Sequence, residues 1–89
     1  MDLYEIFSRL DSKEEVEKLF ADLCTIQEIE KMQQRLDSAV LLLNNETYNQ
    51  IIEETDISSA TLSRVSRCLK YGSGGYSEVL KGILKQEKK

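Results

Sequence analysis

An all-α fold is predicted by three features of the chain. No proline occurs among its 89 residues, its apolar residues recur three and four positions apart almost throughout, and the helix-opening pattern Ser/Thr-x-x-Glu/Gln appears three times. Strand-like alternation is absent. Reading the apolar stripes between the caps yields six helices.

Leu3, Ile6, Phe7 and Leu10 mark a first helix from about Leu3 to Leu10, with Asp2 placed to cap it. Ser12 and Glu15 form a capping box that opens a second helix, whose buried stripe is Val16, Leu19, Phe20 and Leu23. Thr25 with Glu28 repeats the device and opens the longest helix, about Ile26 to Leu43, roughly 27 Å at 1.5 Å per residue. Along it Ile29, Met32, Leu36, Ala39 and Leu43 are spaced as a helix-pairing seam. Residues 39–43 are apolar on every side, so that end should be enclosed by other helices.

Asn44 and Asn45 stop the long helix. Thr47 with Gln50 begins a short fourth helix, and Ser58 is the natural cap of a fifth that runs to about Tyr71. The stretch YGSGG then supplies a flexible or sharply turned link. Tyr76, Val79, Leu80, Ile83 and Leu84 give a last amphipathic helix over about 76–85, too short to be stable unless packed. The terminal Gln86 to Lys89 is expected to fray, its lysines acting as a solubilising end.

Eighty-nine residues suffice for one domain, and a chain this short leaves much apolar surface uncovered unless it finds a partner, so association is expected. With 40% apolar and 31% charged residues the composition is that of an ordinary globular protein. The start MDLYEIFSRL lacks the basic and apolar segments of a secretory leader, and the longest apolar run, 39–43, is too short to span a bilayer. The cytosol is the expected location, without membrane association. Cys24 and Cys68 lie far apart with no His in the chain, so neither a metal site nor a disulfide framework is suggested, and both thiols are expected in the core.

Lack of His also removes the neutral-pH imidazole base and the Ser-His pair. The carboxylates, such as Glu14, Glu15 and Glu17, fall among lysines on polar helix faces rather than in catalytic pairs. No enzyme and no metal or covalent cofactor is expected.

The informative segment is 47–71, where TYNQIIEE reads as a short helix, TDIS as a tight turn and SATLSRVSRCLKY as a second helix. This is a helix-turn-helix pattern. From Ile57 to Ser77 there is no Asp or Glu, while Arg64, Arg67 and Lys70 supply three positive charges. Residues 1–56 are the opposite, with five Lys or Arg against fourteen Asp or Glu. A chain of net charge −4 repels a polyanion overall, so contact with double-stranded DNA must be focused on this one basic element and depend strongly on salt.

Ile51, Ile57, Leu62, Val65 and Leu69 are spaced to lock the two helices together. Asp56 stands where many such motifs have glycine, and Asp is among the few other residues that tolerate a left-handed backbone. On the opposite face Ser59, Ala60, Ser63 and Arg67 are placed to meet base edges, with Arg67 able to bind guanine through two hydrogen bonds. Phosphate contacts are expected from Thr61, Ser66, Arg67 and Lys70.

ISSATLSRVSRCLK resembles the reading helix of the Trp repressor, and the resemblance runs almost continuously from Thr25. Over nearly its whole length, GSGGY link included, the chain is similar to the short Trp-repressor-like proteins of the YerC/YecD group. The resemblance implies an intertwined homodimer in which helices over about 3–44 and 76–86 form a shared core and two reading heads face successive major grooves about 34 Å apart. It also implies an effector site beside the reading helix. Arg64 matches one arginine of the family's corepressor pocket, Arg35 the other after a single-residue gap near Thr47, and Thr25 a third pocket residue. Val65 stands where that pocket has glycine and Cys68 where it has serine. A valine would crowd an indole ring, which disfavours tryptophan and leaves a smaller amino-acid-like corepressor or none. Salt bridges from Arg35 and Arg64 to acids such as Asp37 or Glu54 are the alternative use of the pair.

Two functions therefore remain open from sequence. One is a DNA-binding transcriptional regulator, a repressor acting on a two-fold symmetric operator. The other is a helical interaction module in which the helix-turn-helix is only scaffold.

Overall fold

The helix starts are written in hydrogen bonds that the sequence advertises. A computed structural model describes residues 1–87 as α1 (Leu3–Ser8), α2 (Lys13–Leu23), α3 (Ile26–Leu43), α4 (Tyr48–Thr55), α5 (Ser59–Tyr71), a π-helical turn (Gly75–Leu80) and α6 (Lys81–Glu87). No strand occurs among the described residues. The chain divides into two compact units, Met1–Lys31 and Met32–Lys89.

In the first unit Asp2 Oδ1 accepts from the Glu5 N–H at 2.8 Å and caps α1. The helix stops at Ser8 rather than Leu10, because the Arg9 and Leu10 N–H groups bond the carbonyls three residues back and tighten the last turn. Ser12 Oγ accepts from the Glu15 N–H at 3.2 Å, but the Glu15 carboxylate takes the Asp11 N–H at 2.7 Å instead of that of Ser12. The capping box is thus displaced by one residue. The Phe7 and Phe20 rings meet at 5.1 Å with a 60° tilt, and Val16 and Leu19 are half-buried beside an exposed Leu23. Neither α1 nor α2 contains a fully buried residue.

Thr25 and Glu28 make a reciprocal box at the start of α3, with Thr25 N–H to Glu28 Oε1 at 2.8 Å and Glu28 N–H to Thr25 Oγ1 at 3.1 Å. The Thr25 N–H, and after it the Thr25 hydroxyl, hold the Glu28 carboxyl below its ordinary value of 4.5. The stability this carboxylate contributes is therefore complete above 4.5 and disappears as pH falls through the lowered folded value. An acid titration followed at the Thr25 amide resonance should show a midpoint below 4.5, and Glu28→Gln should remove that step.

In the second unit α3 ends in a Schellman turn. Asn45 takes the left-handed region at φ 65°, while the Asn45 and Glu46 N–H groups bond the Leu42 and Leu41 carbonyls. The Thr47–Gln50 box is present in both directions at the start of α4. Its end is Asp56 at φ 61°, ψ 19°, the left-handed conformation expected in the turn, and Ser58 Oγ accepts from the Thr61 N–H at 3.1 Å to start α5. The core is Ala39, Ile51, Ile57, Leu62 and Val65, with Leu41, Leu42, Ile52, Tyr76 and Leu80 packed against it. Of the apolar end of α3, Ala39 is buried and residues 40–43 are half-covered.

The C-terminal segment departs most from expectation. A glycine is required at Gly72, where a Cβ would overlap the Cys68 carbonyl, and at Gly74, which has φ 99°. The Gly74 carbonyl then accepts from both the Glu78 and Val79 N–H groups, at 2.9 and 3.1 Å, which opens the first turn into a π-helix. Tyr76, Leu80 and Leu84 are half-buried, whereas Val79 and Ile83 face outward. Gln86 and Glu87 continue α6 instead of fraying, and the fraying and solubilising role expected of Lys88 and Lys89 lies outside the described residues.

Candidate nucleic-acid interface

Helix α5 has two faces, and burial separates them. Leu62, Val65 and Ser66 are buried and Leu69 half-buried, which is the i, i+3, i+4, i+7 stripe of a packed helix. Ser59, Ala60, Ser63 and Arg67 are exposed on the other side, four residues apart in their main row. The small side chains at the N-terminal end leave the backbone free to approach a groove, and Arg67 stands a turn further on. Lys70 is exposed in the last turn, where a cation also complements the helix dipole.

Burial sets two of the residues expected to contact phosphate apart from the rest. Ser66 is 7% exposed because its position, four after Leu62, puts it on the inner face of α5. Thr61 is half-buried, and its hydroxyl accepts from the Ser58 hydroxyl at 2.9 Å, making it chiefly a capping partner. Ser59, Ala60, Ser63, Arg67 and Lys70 remain as the accessible set.

Electrostatics reinforce that set. Among the described residues the ion pairs are Lys13–Glu17 at 3.7 Å and Lys18–Glu14 at 3.5 Å, both on the exposed side of α2. Arg35, Arg64, Arg67 and Lys70 have no carboxylate within 4.0 Å there, and all are exposed. The salt bridges to Asp37 or Glu54 are not formed. Asp37 instead accepts from Gln33 Nε2 at 2.9 Å.

Of the expected effector residues, Arg35, Arg64, Val65 and Cys68 belong to the second unit and Thr25 to the first. Val65 lies in the core at 2% exposure, held there by the packed stripe, and offers no surface to a ligand. Cys68 is exposed rather than a core thiol, since it falls beside the stripe and not on it; Cys24 is half-buried. A cavity of about 240 Å³ is lined by Cys68, Gly72, Ser73, Gly75 and Tyr76. Arg35 and Arg64 are not among its lining residues. Thr25 is engaged as the cap of α3.

One feature has no counterpart among the expected site residues. Gln34 Nε2 donates to the Thr55 carbonyl at 2.9 Å, across twenty-one residues, and joins α3 to the end of α4. No local pattern marks a glutamine for such a bond, which depends on how two helices meet. Among the described residues there is also no group of three or more potential metal ligands, and no helix is long and apolar enough to cross a membrane.

Against known proteins, a family model described as Trp repressor protein matches residues 1–84. The uncharacterised protein YerC of Bacillus subtilis strain 168 is 42% identical over 85 residues, covering 96% of this chain and 82% of that protein. Two solved structures share the fold with a TM-score of 0.85. A candidate Trp repressor from Staphylococcus aureus is 37% identical and covers 91% of this chain and 81% of its own. A TrpR-like protein from Eubacterium eligens is 40% identical, with 91% and 84% covered.

Proposed function

This chain belongs to the Trp repressor family, a family of DNA-binding regulators, and on that footing we propose that it is a cytoplasmic, non-enzymatic repressor that binds a two-fold symmetric operator as a homodimer. The observation that carries the reading is α5 itself. Its packed stripe is apolar, its free face is small and cationic, and no acid lies between Ile57 and Ser77. Phosphate contacts from Lys70 and Arg67 hold the head, while Ser59, Ala60, Ser63 and Arg67 meet base edges.

Pairing of two copies is supported by the apolar surface a single chain leaves bare. Leu3, Tyr4, Leu23 and Ile26 in the first unit, and Val79 and Ile83 in the second, are all more than half exposed, and a chain this short gains from covering such surface with a second copy. Two copies present two reading heads, and a symmetric operator follows from the symmetric protein. Retention on duplex DNA at low salt, despite an isoelectric point near 4.8, is the expected result. Elution in the void volume would instead favour an interaction module that uses the helix-turn-helix as scaffold.

The same reading includes a small amino-acid-like effector whose carboxylate is taken by Arg64 and Arg35, both exposed and without an acidic partner among the described residues. A guanidinium without a competing carboxylate is a ready anion receptor. A panel of amino acids and related acids should contain one that raises the melting temperature by several degrees at saturating concentration. That shift should vanish in Arg64→Ala; a shift kept in the variant removes Arg64 from the site, and none with any compound removes the effector.

A further inference from the structure

We propose that Gln34 is a positioning residue for DNA reading, whose side-chain amide ties the end of α4 to the long helix and thereby sets the angle at which α5 is presented. The proposal rests on the DNA-binding reading above. Thr55 is the last residue of α4, and its carbonyl is one of the four that a helix leaves without an internal partner. Asp56 N–H bonds the Ile52 carbonyl at 2.9 Å. For Thr55 the partner is Gln34 Nε2, from a different helix.

The bond sits in a short relay. Ser38, fully buried, donates its hydroxyl to the Gln34 carbonyl at 2.8 Å. Beyond Thr55, the threonine hydroxyl donates to the Ile51 carbonyl at 2.7 Å and accepts from the Ile57 N–H at 3.3 Å. Ile57 is buried and stands two residues before the first residue of α5. Gln34 and Thr55 are thus each fixed by a second bond through another of their groups, the Gln34 main-chain carbonyl by Ser38 and the Thr55 hydroxyl by Ile51 and Ile57.

Apolar packing alone does not specify this angle. The contact among Ala39, Ile51, Ile57, Leu62 and Val65 restricts the helix crossing angle only to within about 15–20°. A half-buried N–H···O bond is directional, and leaving its carbonyl unpaired is costly. The neighbour Gln33 provides a built-in contrast, since it is exposed and donates to Asp37 on its own helix.

The test uses Gln34→Glu in the full chain, with a fluorescent nonspecific duplex as probe. At pH 7.5 the variant keeps the shape of the side chain but presents only acceptor oxygens to the Thr55 carbonyl. Its affinity should fall about tenfold relative to the unaltered protein. On acidification, as the half-buried acid regains a proton and with it a donor, the ratio should close to within about twofold. Gln33→Glu adds the same charge one residue away and should change affinity by less than about threefold at either pH. Gln34→Met removes the donor without adding charge and should stay weak at both.

Equal affinity of Gln34→Glu and the unaltered protein overturns the proposal, as does a deficit that acid does not repair. If Gln34→Glu fails to fold, judged by far-ultraviolet circular dichroism, Gln34→Met decides by the same affinity measurement together with hydrogen exchange at the Ile57 amide. Faster exchange with weaker binding supports the tether; unchanged exchange overturns it. An unaltered protein that ignores duplex DNA sinks the DNA-binding reading itself, an outcome distinct from a failure of Gln34 alone.

Discussion

Replacing Arg67 and Lys70 together by alanine lowers duplex affinity by at least about a hundredfold at moderate salt, for the four cationic contacts that a dimer loses. The plot of log affinity against log salt flattens by about two to four, because each phosphate neutralised contributes close to 0.9 to the slope and a dimer loses two cations per protomer. Both side chains are exposed and neither has an acidic partner among the described residues, so folding should change by less than about 0.5 kcal/mol. Fluorescence anisotropy at two salt concentrations measures both quantities. An unchanged slope in a folded double variant would falsify the interface assignment.

The second large effect falls on stability. Leu62→Ala removes a fully buried side chain from the centre of the core, between the helices of the reading head. A cost of about 3 kcal/mol is expected from lost burial and the cavity left behind. For a domain of this size that lowers the melting temperature by on the order of 10–20 °C. Ser63→Ala, one residue along on the exposed face, should move it hardly at all. Thermal denaturation at matched protein concentration checks the pair, and equal shifts would contradict the division of α5 into a packed and a free face.

Much of this architecture is legible in the sequence, for a local reason. The bounds of α3 are marked by Thr25 with Glu28 at one end and Asn44–Asn45 at the other, and each signal acts within five residues of the backbone it terminates. The same holds for Thr47–Gln50, for Asp56 in its left-handed turn and for Ser58. Ser59, Ala60, Ser63 and Arg67 are correctly assigned to the exposed face, because the heptad-like row of Leu62, Val65 and Leu69 fixes the opposite one.

What is not legible depends on helix geometry or on contacts between elements. Ser66 looks like a surface residue by polarity, but a stripe that contains Leu62 and Val65 carries it inward whatever its chemistry. Cys68 is the converse, an apolar-leaning side chain left outside by the same rotation. The π-helical turn arises where one Gly74 carbonyl serves two N–H donors, and glycine spacing by itself does not distinguish that from an ordinary link. Gln34 gives no signal at all, since its partner lies twenty-one residues away. Val65 is legible in both roles, since the spacing of Leu62, Val65 and Leu69 already places it in the core, whereas its link to an effector rests on family resemblance alone.

The wide turn at Gly75–Leu80 bears on how the molecule melts. It leads into a seven-residue helix that contains Gly82 and buries no residue completely. So short a segment draws little strength from its own backbone, and glycine weakens it by a further ~1 kcal/mol. Within the second unit, the amides of Gly75–Glu87 in a single chain are therefore expected to exchange before those of α4 and α5, and pairing of two copies over this segment should slow them.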